Sequence, residues 1–203
     1  MIQLLFLALA PFQAPTNAAE IRVQDLKAHI GFLACDAMEG RESGERGGHL
    51  AARYVASQFE RFGLQPIGKK RSGLPEDYLL PFEAAGRTCF NVAGLLPGTD
   101  PVFAKRAFVV GGHHDHAGIG GPGAMGPPGQ IHNGADDNAS GTGGVLELAE
   151  YFAAHPARHP ILFMTFSAEE RGLLGSQAFV KSGLYPAENL FAMINMDMVG
   201  RST

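Results

Sequence analysis

Apolar residues recur at helical intervals from Val23 to Leu33 and again from His49 to Phe62. That spacing lines one face of a helix, so both stretches are expected to be amphipathic helices. The segment between them, "DAMEGRESGERGG", is polar and glycine-rich and reads as a loop. Tyr78 to Glu83 and Phe90 to Leu96 carry strand patterns. Three later runs are shorter and almost wholly apolar: "RAFVVG" (Arg106 to Gly111), "ILFMTF" (Ile161 to Phe166) and "LFAMINMD" (Leu190 to Asp197). Strands covered on both faces look like this. Two helical patterns separate them. Ser140 to His155 places Leu146, Ala149, Phe152 and Ala153 on one face, and Leu173 to Ser182 follows. Strand, helix, strand, helix, strand predicts βαβ crossovers. The expected fold class is α/β, a mostly parallel sheet flanked by helices on both faces.

Composition narrows this further. With 203 residues, 45% of them hydrophobic, the chain can bury the core of one domain. Lys plus Arg number 16 against 20 Asp plus Glu, for a net charge of -4. There is no basic stripe, which excludes nucleic acid as the expected partner. The run "GKKR", Gly68 to Arg71, reads as a solvated turn. Much of the glycine clusters between Gly111 and Gly144, which marks a localised loop site rather than a linker. At the N-terminus, Ile2 to Leu9 is apolar but too short to span a membrane. With Thr16 and Ala18 ahead of a cleavage point, residues 1–19 read as an export signal, implying a secreted or periplasmic protein. The alternative is a buried N-terminal helix. Cys35 and Cys89 are compatible with a disulfide or with two free thiols.

The polar residues then fall into register with the strands. "GHHDH" follows the strand ending near Gly111 and carries His113 and Asp115. "HNGADDNASG" enters the next helix and carries Asp136 and Asp137. Glu169 and Glu170 follow the second apolar strand, and Asp197 ends the third. Parallel sheets bind ligands beyond the carboxyl ends of their strands, and all these groups lie at that edge. So many carboxylates in one cleft raise each other's pKa, and few basic residues are near enough in sequence to offset them. Divalent cations would offset them. Mixed imidazole and carboxylate ligands suit zinc, with manganese or cobalt as alternatives. In extended chain His113 and Asp115 point the same way, so one can bind metal while the other orients an imidazole. Asp137 has two oxygens with which to bridge two ions. Glu169 and Glu170 diverge, leaving one to ligate and the other to handle protons.

Taken in order and spacing, "GHHDH", "GADDNASG", "SAEERGLLGS" and "NMDM" resemble the co-catalytic zinc aminopeptidases of the peptidase M28 family. Gly40 to Pro66 also resembles the family's N-terminal region. The resemblance implies a zinc-exopeptidase-like fold with two Zn2+ ions in a complete active site. His113 and Asp197 would hold one ion, Glu170 the other, and Asp137 would bridge them. Glu169 would be the general base, and Asp115 would support His113. Residues 20–203 would be the catalytic domain, and the substrate a peptide with a free N-terminus. The resemblance also implies a cis peptide between Asp137 and Asn138.

The remaining histidines are assigned to other duties. His114 and His116 point away from His113 in extended chain and read as loop or packing residues. His29, His49, His132, His155 and His159 read as surface or internally satisfied groups. Asp136 would be a ligand only if the register were one residue off. Two rival functions stand beside the aminopeptidase: an acyltransferase like the glutaminyl cyclases, with a single zinc, and a non-catalytic binding ectodomain. In the resembled family a final histidine ligand follows later in the chain, and no residue lies beyond Thr203 to match it. His116 and His132 are the substitutes the chain offers, neither at the expected place in the fold, so the expectation is of an inactive or weakly active fragment that holds at most one zinc tightly.

Overall fold

The computed structural model describes residues 20–68, 74–121 and 127–201. The export-signal reading at residues 1–19 and most of the basic run ending at Arg71 lie outside the described residues. The chain runs through α1 (Val23–Leu33), a 3-10 segment (Asp36–Arg41), α2 (Arg46–Arg61), β1 (Gln65–Pro66), β2 (Leu79–Ala84) and β3 (Arg87–Leu96). It continues through β4 (Ala107–His113), α3 (Gly141–Ala154), β5 (Ile161–Phe166), α4 (Leu174–Ser182) and β6 (Leu190–Asn195). Every residue of β5 is buried, as its unbroken apolar run demands. Alternation sends Ile161 and Phe163 to one core, and Leu162, Met164 and Phe166 to the other.

The first core lies under α2 and α3. Val55, Ala56 and Phe59 from α2 meet Val145, Leu146 and Ala149 from α3 there. The second core lies under α4, through Phe179. Each large apolar side chain buried in these cores contributes about 1.5–3 kcal/mol. Helices therefore cover both faces, as expected. The sheet itself is mixed. β5, β4 and β6 run parallel, while β3 pairs antiparallel with β1, β2 and β5. The strands predicted to be parallel are the parallel ones.

The strand order is β1-β3-β5-β4-β6, with β2 also on β3. After β4 the chain crosses through α3 to β5 on one side, then through α4 to β6 on the other. This reversal about β4 opens a crevice beyond its carboxyl end, where parallel sheets bind ligands. β6 forms an edge, with Phe191, Met193 and Ile194 about half exposed. Cys35 and Cys89 are both free thiols. Among the described residues no helix is long and apolar enough to cross a membrane.

Candidate metal centre

β4 ends in His113, which is 3% exposed, at the head of the crevice. Thr142 donates its hydroxyl to the His113 carbonyl at 2.8 Å, tying the strand end to the start of α3. The imidazole Nδ1 lies 3.2 Å from the Asp115 main-chain oxygen and 3.7 Å from Asp115 Oδ1. This fixes the ring and turns Nε2 into the crevice. There it meets Asp137 Oδ1 at 3.3 Å, Asp197 Oδ1 at 3.4 Å and Glu169 Oε2 at 3.9 Å. Ligand atoms around a tetrahedral zinc, with bonds of about 2.0–2.2 Å, lie roughly 3.3 Å apart. The His113–Asp137 and His113–Asp197 distances match that spacing, and the three ligand atoms all lie within 4.8 Å of one another.

Asp137 presents its second oxygen the other way. Oδ2 lies 4.0 Å from His116 Nδ1, which in turn lies 2.6 Å from Glu170 Oε1. His116, Asp137 and Glu170 make a second group whose donor atoms all lie within 4.8 Å of one another. The cluster is thus compatible with one or two zinc ions. His116, expected as a loop or packing residue and only as a substitute ligand, stands within the cluster. β4 stops at His113, so strand alternation does not govern His116, whose Nδ1 lies 2.6 Å from Glu170 Oε1.

The chain around Asp137 is bent to make this possible. The Asp137–Asn138 peptide is cis, as expected. Gly134, at φ 58 and ψ 48, sits in the left-handed region. A Cβ there would collide with the Asp137 carbonyl oxygen, His116 and Arg41. Asn138 is fully buried; its amide nitrogen donates to the Met196 carbonyl at 2.9 Å, and its oxygen accepts from Gly141 N at 2.9 Å. This stitches the segment bearing Asp197 to the loop bearing Asp137. Asp197 itself lies two residues past the end of β6, not within the strand as the sequence reading had it. Asp136 turns away from the cluster. Its oxygens receive Gly200 N at 2.8 Å and face the Arg201 guanidinium at 2.7 Å, which removes the alternative register.

Asp115 is fully buried, and alone its burial would raise its pKa. Hydrogen bonding from His113 and Ser43 instead holds its carboxyl below the ordinary range. Ser43 Oγ donates to Asp115 Oδ2 at 2.6 Å and accepts from Ala168 N at 2.8 Å, while Glu169 N donates to Asp115 Oδ1 at 3.3 Å. Burial disfavours a charged His113, but Asp115 and the facing carboxylates of Glu169 and Asp197 outweigh it and raise the imidazole to about 9. Burial, joined by neighbouring carboxylates including Glu170, raises Glu169 and Asp137 above their ordinary values. His114 is a packing histidine, as read. It is 1% exposed, bonded to Thr165 Oγ1 at 2.9 Å, and lowered by burial to about 4.

Two groups escaped the sequence reading. One is Ser43, from the stretch read as a polar loop. The other is Arg41, which is fully buried. Burial lowers its guanidinium only to about 10, with Asp115, Asp137 and Glu170 pulling the other way, so it stays charged at neutral pH. Few basic residues were expected near the carboxylates, and Arg41 is one that the fold brings to them. Arg41 lies in the Gly40–Pro66 stretch, remote in sequence from the motifs that bear the ligand candidates, and only folding brings it beneath them. Beside Glu169 the crevice widens into a cavity of about 260 Å³. It is lined by His113, Phe166, Leu173, Ser176, Met193 and Asn195.

Comparison with known proteins fits this geometry. Residues 91–203 match the family model described as Peptidase family M28. A "Probable zinc metalloprotease" of Pyrenophora tritici-repentis is 40% identical over 111 residues, covering 55% of this chain and 24% of that protein. "Leucine aminopeptidase 1" of Penicillium rubens is 36% identical over 117 residues, covering 55% of this chain and 28% of that protein. The alignments thus span about a quarter of the relatives' length. The solved structure of a Zn-dependent exopeptidase from Parabacteroides distasonis superposes with a TM-score of 0.68 at 20% identity. That superposition covers 91% of this chain and 64% of the other, and it shows the shared fold.

Proposed function

The chain belongs to peptidase family M28, and from that premise we propose that it is a zinc-dependent aminopeptidase that uses two ions bridged by Asp137. One observation carries this reading. The two oxygens of a single carboxylate face two separate ligand groups, His113 with Asp197 and His116 with Glu170. Zinc held there would supply an acidified water and a polarised scissile carbonyl.

Within that site each residue of the chain has a defined task. His113 and Asp197 would hold one ion, and Glu170 with His116 would hold the other. Asp115, itself fixed by Ser43, orients the His113 ring so that Nε2 faces the crevice. Glu169 Oε2 reaches to 3.9 Å of that same nitrogen, farther than the oxygens of Asp137 and Asp197. It accepts the proton of the attacking water and returns it to the leaving amine. Its raised pKa suits both halves of that transfer. The carboxylate-rich crevice recognises the free α-amine of a peptide. The cavity lined by Phe166, Leu173 and Met193 receives an apolar first side chain. The apolar leader at residues 1–19 supports a secreted or periplasmic location.

Hydrolysis of leucine arylamide, with its N-acetylated form as control, tests the reading. Zinc-dependent release from the free amine alone supports it. Equal cleavage of the blocked substrate, or cleavage that does not depend on zinc, would overturn it.

A further inference from the structure

Arg41 is a large side chain with no exposed surface, and it makes four hydrogen bonds, all to main-chain carbonyls. Nε donates to His114 O at 2.9 Å. Nη1 donates to Leu33 O and Asn133 O, both at 2.6 Å, and Nη2 to Gly134 O at 2.8 Å. A guanidinium carries five N–H donors in a rigid fork, so nearly all of its capacity is spent on backbone. A charge taken out of water without a directly bonded carboxylate is costly to keep. An apolar residue here would leave those four carbonyls without a donor, so the fork ties their backbone segments together as no apolar side chain could.

The four acceptors show which segments those are. His114 O lies between His113 and Asp115. Asn133 O and Gly134 O open the loop that carries Asp137, and Leu33 O ends α1. One planar group therefore measures the distance between the strand end that supplies the imidazole and the loop that supplies the bridging carboxylate. The backbone of Arg41 adds a fifth tie, accepting from His116 N at 3.2 Å. The segment that delivers it is itself bent for the purpose. Glu39, Gly40 and Arg41 are all left-handed, at φ 51, 67 and 53, a conformation rare in residues bearing a Cβ. At Gly40 a Cβ would strike the Gly118 and His132 carbonyls, so this segment lies directly under the chain between the two ligand loops.

We propose that Arg41 is a positioning residue of the metal centre: its guanidinium fork sets the spacing between the His113–Asp115 strand end and the Asp137 loop before any ion binds. The inference rests on the reading of that cluster as a zinc site. It makes geometry, not charge, the dominant effect of Arg41 on metal. As a cation, Arg41 repels an incoming dication, so charge alone would weaken binding.

The test compares the full chain with its Arg41→Lys and Arg41→Met variants. Zinc affinity is read by competition with a chromophoric chelator, and folding by urea unfolding without zinc. Arg41→Lys keeps the charge and loses the fork, so its zinc affinity should fall by about 10–100-fold, the range for groups that hold ligands in place. Arg41→Met should fall at least as far. A folded Arg41→Lys with zinc affinity within twofold of the wild type would overturn the proposal, making Arg41 mere scaffold. Tighter zinc binding by Arg41→Met would overturn it by showing that charge dominates. A second measurement needs no variant. In the zinc-free wild type, the amides of His116 and Ala139, which are bonded to Arg41 O and Gly134 O, should already be protected from hydrogen exchange. Protection that appears only on adding zinc would show that the ion, and not Arg41, sets the spacing. Failure of the wild type to bind zinc at all would instead strike the proposed function itself.

Discussion

His116 Nδ1 lies 2.6 Å from Glu170 Oε1, although the two residues belong to different strand-end loops. The contact places an imidazole at the carboxylate that would otherwise face the second ion with Asp137 alone. His116→Ala should therefore weaken the second zinc by about 10–100-fold and leave the first near its original affinity. Zinc titration with elemental analysis reads both. Loss of the tight zinc instead would mean that the histidine roles are exchanged.

Glu169 Oε2 lies 3.9 Å from His113 Nε2, farther than the oxygens of Asp137 and Asp197, and the proposed function gives it the proton rather than the ion. Glu169→Gln should keep its zinc and lose about 10²–10⁴-fold in turnover, the usual worth of a positioned acid–base group. Steady-state kinetics on leucine arylamide, with metal analysis of the same sample, check this. A variant that loses zinc together with activity would reassign Glu169 as a ligand.

Zinc uptake should depend on pH through His113. In the metal-free protein this imidazole is raised to about 9, so at neutral pH it carries a proton that the ion must displace. Zinc affinity should rise with pH by about tenfold per unit up to that value, then level off. Competition titrations from neutral to alkaline pH would show the slope. A flat profile would mean that His113 is neutral before zinc arrives.

Gly134 is left-handed and touches the Asp137 loop, His116 and Arg41 at once. Gly134→Ala should lose at least about 1–2 kcal/mol of stability from backbone strain alone, with the collision adding to it. Urea unfolding measures the loss, and an unchanged midpoint would contradict the geometry.

Much of the scaffold was legible because its signals are local. α1 and β5 occupy the stretches that their apolar periodicity marks, and the three apolar runs form the parallel strands. Their carboxyl ends bring His113, Asp115, Asp137, Glu169, Glu170 and Asp197 to one crevice, because a parallel sheet aligns those ends. The residues that were missed depend on non-local geometry. Arg41 and Ser43 come from a stretch whose glycines and charges look like solvated loop. Its left-handed turn, not its composition, drives them inward. His116 was misplaced because strict strand alternation was extended past the last residue of β4. The antiparallel half of the sheet, β1 to β3, carries no helix-strand alternation from which its direction follows.

The most direct test of the two-ion account is the zinc stoichiometry of Asp137→Ala beside that of Glu170→Ala. The shared carboxylate predicts that the wild type takes up two zinc ions of unequal affinity, the tighter at His113 and Asp197. Asp137→Ala should weaken both, while Glu170→Ala should weaken only the second. If Asp137→Ala binds the same two ions as tightly as the wild type, or loses only one, Asp137 bridges nothing and the account is contradicted.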